Sequence, residues 1–317
     1  MTGLTTPSGS GLVCVIVQPI EGSGIGLLRR AGLEVREAAS PDVATLAPLL
    51  GDADAVVTRN AGFSSEAIAA APRLKVIAAH GTGVDRIDHD AAAARGIRVV
   101  NTPGTNARSV AEHALALMLA AARSIPSADL AVRAGDFGFR ERVGGIELAG
   151  RCLGLWGFGA VGQHLAEIAM GLGMRVLVHS AHADADELAA RGLSKVGSND
   201  ELLAAADILS LHGVPTGAPL LDSAAFARMR SGAILVNTAR GGLVDEAALA
   251  EALRNGTLRA AALDVFAEEP PPPDSPLLSA PNLILTPHIA GGTAEARSRT
   301  SLAVAEAVLD ALGVARP

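Results

Sequence analysis

Three side chains in the last third of the chain have the types and surroundings for chemistry on a small acid. Arg240 lies in Val236-Asn-Thr-Ala-Arg-Gly-Gly242, Glu269 precedes Pro270, and His288 lies in Leu285-Thr-Pro-His-Ile-Ala-Gly-Gly292. Each follows a short apolar run that reads as a strand, and in open parallel sheets ligands gather at the carboxyl ends of strands. A guanidinium there offers a planar fork to a carboxylate. An imidazole supplies a proton near neutral pH, and a carboxylate beside it holds its tautomer. Together the three suit hydride transfer to an α-keto acid: Arg240 grips the carboxylate and carbonyl oxygen, His288 protonates the developing alkoxide, and Glu269 supports His288. Pro270 biases Glu269 toward extended backbone. Taken singly, Arg240 is an ordinary surface charge, Glu269 a solvated loop residue, and His288 one histidine of eight.

A second constellation says what the hydride carrier would be. The run Cys152 to Trp156 reads as a strand, followed by Gly157-Phe-Gly159-Ala-Val-Gly162 and a helical segment from Ala160 to about Leu172. Met174 to Val178 reads as the next strand. This is the start of a dinucleotide-binding βαβ unit. Gly157 allows the tight turn, Gly159 lets backbone approach a pyrophosphate, and Gly162 lets helix and strand pack closely. His179 and His182 invite a metal reading, but no third ligand of fitting spacing accompanies them, so no metal is expected.

The elements that must position these residues fall into two α/β sets. Before residue 101, strands are expected at Leu12–Val17, Leu33–Arg36, Ala55–Thr58, Lys75–Ala79 and Ile97–Val100, with helices between them. After the glycine turn they recur at Ile208–Leu211, Ala233–Asn237, Ala260–Asp264 and Leu283–Thr286, with a short one near Lys195. Strands alternating with helices predict two doubly wound parallel-sheet domains. The glycine turn begins about 150 residues in, so one domain precedes it. Breaks near 101–104 and 286–291 then divide the chain into a domain of residues 1–101 plus 287–317 and a dinucleotide-binding domain of 102–286. Two loops of the first set stand at strand ends: Thr58-Arg59-Asn60-Ala61, and Ala79-His80-Gly81-Thr82-Gly83-Val84-Asp85, whose glycines can present N–H groups to an anion. A long helix is expected over about Asn106 to Arg123, with an Ala/Leu/Met stripe suited equally to a core or a dimer contact. Ser109-x-x-Glu112 has capping-box spacing, which makes Glu112 a cap.

Composition narrows the function classes. The 317 residues, 49% hydrophobic and 19% charged, describe a globular chain with room for two cores. A net charge of −7 argues against nucleic acid or an acidic membrane as partner. Of 26 basic residues only Lys75 and Lys195 are lysine, a compositional bias rather than a binding code. Met1 to Gly11 reads as a flexible tail, not a signal peptide. The longest apolar run, Ala114 to Ala122, falls well short of the ~18 residues that span a bilayer. Cys14 and Cys152 sit in apolar strands as small buried hydrophobes, which fits a reducing cytoplasm.

At these motifs the chain resembles the D-isomer-specific 2-hydroxyacid dehydrogenase family, near its D-3-phosphoglycerate dehydrogenase branch. The resemblance rests on His80-Gly-Thr-Gly-Val-Asp-Arg-Ile-Asp88, Gly96 to Glu112, Gly154 to Gly162, Ala233 to Glu246, Ala262 to Pro270 and Thr286 to Thr293. It implies a Rossmann cofactor domain inserted into a flavodoxin-like substrate domain that the C-terminal helix completes. It implies Arg240, Glu269 and His288 as the catalytic set. Cofactor contacts would come from Gly157, Gly159, Ala160, Val161, Gly162, Ser180, Thr238, Ala239, Arg240, Asp264, His288 and Gly291. Substrate contacts would come from Arg59, His80, Gly81, Thr82 and Gly83. A homodimer formed through the cofactor domains is implied as well, with a 2-hydroxy or 2-keto acid such as phosphoglycerate, hydroxypyruvate or glyoxylate as substrate.

Departures from the family pattern leave choices open. Members that use NAD usually carry an acid at the end of the second cofactor-domain strand, to hold the ribose 2′-hydroxyl. Ser180 stands there, so the cofactor is NAD or NADP. His80 replaces the arginine of many relatives, and Leu211 to Pro219 is shorter than the usual loop. Formate dehydrogenases resemble the same fold but typically carry Gln at the position of Glu269. Nucleotide-sensing transcriptional corepressors of this fold retain the three catalytic residues, and only turnover separates them from an enzyme.

Overall fold

A computed structural model describes residues 11–317, so the expected N-terminal tail lies outside the described residues apart from Gly11. The chain forms two compact units: residues up to Asn106 with Gly292–Pro317, and Ala107–Gly291.

In the first unit, β1 (Val13–Ile16), β2 (Glu34–Glu37), β3 (Ala55–Thr58), β4 (Val76–Ala79) and β5 (Arg98–Val100) form one sheet in the order β2-β1-β3-β4-β5. Every pairing is parallel. The central strands Val-Cys-Val-Ile, Ala-Val-Val-Thr and Val-Ile-Ala-Ala are buried throughout, as strands covered on both faces must be. One face packs Cys14, Ile16, Val57 and Ala78 against Leu28 of helix Gly22–Arg30 and Val304, Val308 and Leu309 of helix Ala294–Leu312. Those two helices touch where a Cβ on Gly24 would lie 2.2 Å from the Ser301 carbonyl oxygen, so only glycine admits the approach. The other face packs Val15, Val56 and Ile77 under Leu46, Leu50 and Ile68.

In the second unit, β6 (Cys152–Trp156), β7 (Arg175–His179), β8 (Ser194–Lys195), β9 (Ile208–Leu211), β10 (Ala233–Asn237), β11 (Leu258–Leu263) and β12 (Leu283–Leu285) form a parallel sheet, ordered β12-β11-β10-β9-β6-β7-β8. The chain runs outward from β6 to β8, then restarts at β9 on the other side. The crevice between β6 and β9 is therefore the switch point where such sheets take ligands. Ala114, Leu117, Met118 and Ala121 of helix Ala107–Ala122 are buried against Leu153, Leu155, Ile234 and Val236, which assigns that stripe to the core. Fully burying each leucine of such a core contributes roughly 1.5–3 kcal/mol.

The capping-box reading of Ser109 and Glu112 is corrected. The helix already begins at Ala107, Ser109 is buried inside it, and Glu112 instead pairs with Arg108 at 2.6 Å, one turn back. A further helix, Ile125–Arg133, and a 3₁₀ turn, Phe137–Glu141, fill a stretch for which the sequence suggested no element. Neither buries a residue, and Leu130 and Phe137 are about two-thirds exposed.

Both sheets are tied at their amino ends by the same device. Asp54, just before β3, accepts the Val13 N–H at 3.1 Å and pairs with Lys75 at 3.0 Å. Asp207, just before β9, accepts the Cys152 N–H at 2.8 Å, with Arg230 3.4 Å away. Burial pushes the Asp54 carboxyl up, but the Lys75 and Val13 hydrogen bonds and the charges of Lys75 and Arg73 outweigh it and hold it below the usual range.

Candidate active site

The carboxyl end of the second sheet is built around β6, β10, β11 and β12. Gly157 follows β6 with φ of +93°, and a Cβ there would meet the Gly213 nitrogen and the His212 carbonyl carbon at 2.8 Å. The turn thus presses against the chain leaving β9, and glycine is required on both counts. A Cβ on Gly162 would lie 2.8 Å from the Gly157 carbonyl oxygen, which closes helix onto turn. Gly159 is different: a Cβ there would meet nothing within 4 Å. Gly159 caps helix Ala160–Gly171 without a side-chain hydrogen bond, whereas Ser64, Asp88, Ser198, Asp222, Asp245 and Thr293 each cap theirs with a side chain. Open space before uncapped N–H groups of a 12-residue helix fits a pyrophosphate.

Trp156 precedes this turn, donating from its indole N–H to Asn199 Oδ1 at 2.9 Å. Gly213 faces the same ring, and a Cβ there would lie 2.2 Å from Cζ3. Ser180 follows β7, and its hydroxyl accepts the His182 N–H at 3.3 Å. β8 pairs Lys195 beside Val178, and Lys195 Nζ donates to the Ala183 carbonyl at 2.6 Å.

After β10, the Asn237 side chain braces the Thr238–Arg240 loop. Its Nδ2 donates to the Arg240 carbonyl at 2.8 Å and its Oδ1 accepts the Ala239 N–H at 3.0 Å. Arg240 Nη1 donates to the Ala239 carbonyl at 2.7 Å. The loop packs hard against the chain after β11, since a Cβ on Gly241 would fall 1.9 Å from the Phe266 carbonyl carbon. Among the described residues two buried side-chain atoms lack a partner, and Thr238 Oγ1 is one of them. A polar atom left so at the end of β10, two strands from the glycine turn, fits a site that a ligand completes.

Glu269 and His288 meet on the ends of the neighbouring strands β11 and β12. His288 Nδ1 is 3.0 Å from one carboxylate oxygen of Glu269 and 3.1 Å from the other, and Glu269 also accepts the Phe266 N–H at 3.2 Å. A carboxylate only accepts, so Nδ1 carries a proton and Nε2 is the atom left to exchange one. Glu269 is mostly buried and His288 about one-third exposed. His288 has φ of +53°, a left-handed conformation that costs a non-glycine residue ~1–2 kcal/mol.

Asp264 holds that conformation. Its side chain is fully buried, with Oδ1 accepting from the Thr286 hydroxyl at 2.6 Å and the Ile289 N–H at 2.9 Å, and Oδ2 accepting the Ala290 N–H at 2.8 Å. Burial raises its carboxyl, but hydrogen bonds from His113, Thr286, Ile289 and Ala290 outweigh that and hold it below the usual range. Expected from the resemblance as a cofactor contact, Asp264 here clamps the loop that carries His288 and leads to Gly291. His113, which the sequence reading passed over, reaches the same clamp. The signal for it was a histidine four residues from both buried Ser109 and Leu117, a polar group on an apolar stripe that needs a partner.

The substrate-side candidates belong to the first unit. Register places Thr58 beside Ala79, so Arg59 and His80 leave adjacent strand ends. Gln18 Oε1 accepts the Arg59 N–H at 3.2 Å and the Ala61 N–H at 2.8 Å, while Arg59 Nη1 donates to the Pro19 carbonyl at 3.0 Å. Burial and the Arg297 charge lower the Arg59 guanidinium. Burial, with Arg59 and Arg297 adding to it, pushes the His80 imidazole down to about 4, and its Nε2 is the other buried atom without a partner. The Gly81 N–H is donated to Thr102 Oγ1 at 2.9 Å, so that member of the candidate loop is already satisfied within the chain. Among the described residues no cluster of His, Cys, Asp or Glu can hold a metal ion.

Four similarities bear on this arrangement. The family model described as D-isomer specific 2-hydroxyacid dehydrogenase, NAD binding domain, matches residues 115–290. The D-3-phosphoglycerate dehydrogenase of Mycobacterium bovis is 44% identical over 283 residues, covering 88% of this chain and 53% of that protein. That of Archaeoglobus fulgidus is 42% identical over 299 residues, covering 93% and 56%. The chain thus spans about half the length of the curated relatives it matches. A crystal structure of a protein from Thermus thermophilus superposes with a TM-score of 0.87 at 37% identity, covering 96% of this chain and 99% of that one.

Proposed function

The chain belongs to the D-isomer-specific 2-hydroxyacid dehydrogenase family, and from that premise we propose that it is an NAD(P)-dependent oxidoreductase interconverting a D-2-hydroxy acid and its 2-keto acid. The observation that carries the reading is the His288–Glu269 pair, 3.0 Å apart on neighbouring strand ends of the sheet that bears the glycine turn. When bound, the nicotinamide supplies the hydride for reduction and accepts it for oxidation. In reduction, His288 Nε2 gives its proton to the carbonyl oxygen, and Glu269 compensates the imidazolium charge before transfer. Arg240 orients the substrate carboxylate and the carbonyl oxygen through its fork. Gly157, Gly159, Ala160, Val161 and Gly162 receive the pyrophosphate, and Thr238, Ala239, Asp264 and Gly291 border the nicotinamide end. Ser180 brings no carboxylate against a 2′-phosphate, so the reading covers both NAD and NADP.

Arg59, His80 and the Thr82–Gly83 loop supply positive charge and N–H donors for the acid. The desolvated Arg59 supports a substrate with a second anionic group, such as phosphoglycerate, over hydroxypyruvate or glyoxylate. Exposed Ile125, Leu130, Val132 and Phe137 support a homodimer through the second unit, since apolar side chains clustered in one segment mark an interface. Two free, buried cysteines fit a reducing cytoplasm. The deciding experiment follows NADH and NADPH oxidation over a panel of 2-keto acids. Turnover of at least one acid is expected, and none with any acid or cofactor would sink the enzyme reading in favour of a nucleotide-sensing role.

A further inference from the structure

The clamp at Asp264 has a proton inventory that leads to a residue outside the three catalytic side chains. The Asp264 carboxylate is an acceptor only, and the single hydroxyl proton of Thr286 points at its Oδ1 over 2.6 Å. The Thr286 oxygen can then only accept from its remaining neighbour, His113 Nε2, at 3.1 Å. His113 therefore carries a proton on Nε2, which also lies 3.6 Å from Asp264 Oδ1. The same carboxylate takes the N–H groups of Ile289 and Ala290. Thr286 is further tied by its own N–H to the Leu263 carbonyl at 2.9 Å, and its carbonyl accepts the His288 N–H at 3.0 Å. The loop is thus fixed on both sides of His288, the one residue between them in a left-handed conformation.

We propose that His113 is a positioning residue for the acid–base histidine, acting through Thr286 and Asp264 to hold the Thr286–Ala290 loop in the register that keeps His288 on Glu269. Without the His113 donor, the Thr286 hydroxyl is free to rotate away from Asp264, and the carboxylate loses a donor in a buried setting where replacement by water is costly. The loop then relaxes toward the ordinary right-handed backbone, which turns the imidazole off Glu269. This inference rests on the reading of His288 as acid and base.

Two variants of the intact protein and two readouts test it. His113→Leu removes the donor and keeps the bulk, while His113→Gln returns an N–H to a similar place. Amide hydrogen exchange at Ile289 and Ala290, measured without substrate, should speed at least about tenfold in His113→Leu and return near wild type in His113→Gln. With the best keto acid of the panel, kcat should fall about tenfold in His113→Leu at a nearly constant KM, the pattern of an interaction needed only in the transition state. Gln should restore it to within a few-fold. Thr286→Val breaks the relay without touching His113 and should reproduce both effects, which covers a poorly folded Leu variant. Unchanged exchange at the two amides overturns the proposal, and so does faster exchange with wild-type kcat. Wild-type protein inactive on every acid overturns the acid–base reading instead, and the exchange data still judge the clamp.

Discussion

The two sheets agree at their amino ends and part ways at their carboxyl ends. Asp54 and Asp207 do the same work: each sits before the strand that starts the second half of its sheet, accepts the N–H that opens the first strand, and draws arginine or lysine to its side. At the other end the first unit gathers basic side chains. Arg59 is pushed toward neutrality by burial and Arg297, His80 by burial, Arg59 and Arg297, and His80 Nε2 lacks a partner. The second unit there matches its groups: His288 has Glu269, and Asp264 has three close donors and His113. Uncompensated positive charge suits capture of an anion, and a compensated histidine suits repeated proton exchange. The two sheets thus share a device at one end and differ in charge matching at the other.

The strongest way to break that contrast is His288→Ala. Loss of a general acid should cost about 10²–10⁴-fold in kcat, read in steady-state reduction of the best keto acid, while keto-acid KM stays within a few-fold. A kcat loss under tenfold would remove the second unit from the chemistry. Next comes Gly159→Leu, which fills the open space before helix Ala160–Gly171. NADH or NADPH should quench the single Trp156 saturably in wild type and not in the variant. A surviving response means the cofactor sits elsewhere. Arg59→Ala should lower kcat/KM for acids with an anionic tail about ten- to a hundredfold, the worth of a charge-assisted hydrogen bond. Glyoxylate should be nearly unaffected. Equal losses on both would make Arg59 structural and erase the binding role of the first unit.

The smallest effect concerns acid. His80 and His212 are each held at about 4 rather than near 6.5, His212 by burial and His80 by burial with the two arginines. Between those values the unfolded chain binds protons that the folded chain does not. Their contribution to stability is therefore fully present above pH 6.5 and is lost as pH falls toward 4. An anion bound at Arg59 and His80 should blunt the first unit's share only. Thermal unfolding at about pH 7 and about pH 5 should show a loss that shrinks in His80→Gln and, separately, in His212→Gln. An unchanged acid loss in both variants contradicts the assignment.

Much of this was legible in the amino acids, for physical reasons. Ala55–Thr58, Cys152–Trp156, Ile208–Leu211 and Ala233–Asn237 are read to the residue because strands covered on both faces are unbroken apolar runs between turn signals. At the sheet edge the reading slips: buried Leu33 pulls the expected strand one residue early, while the ladder runs Glu34–Glu37 with partly exposed side chains. The spacing at Ser109 misled because a cap is a matter of where the backbone turns, and the turn lies earlier. Helix Ile125–Arg133, which buries nothing within the chain, was missed. Arg240, Glu269 and His288 stood out through the glycines and prolines around them. The Asp264 clamp did not, because it joins residues 113, 264, 286, 289 and 290, a proximity that only the folded sheet creates.

The helix Ala294–Leu312 lays Val304, Val308 and Leu309 on a sheet whose strands all precede residue 101. On a ribosome adding roughly 5–20 residues per second, that sheet waits, half-covered, while the whole of Ala107–Gly291 is made. The unit encoded second should therefore be the first to finish. Nascent chains arrested so that residue 291 has just cleared the exit tunnel should resist protease over 107–291 and be cut within β1–β5. Early protection of β1–β5 would show that its sheet closes without the last helix.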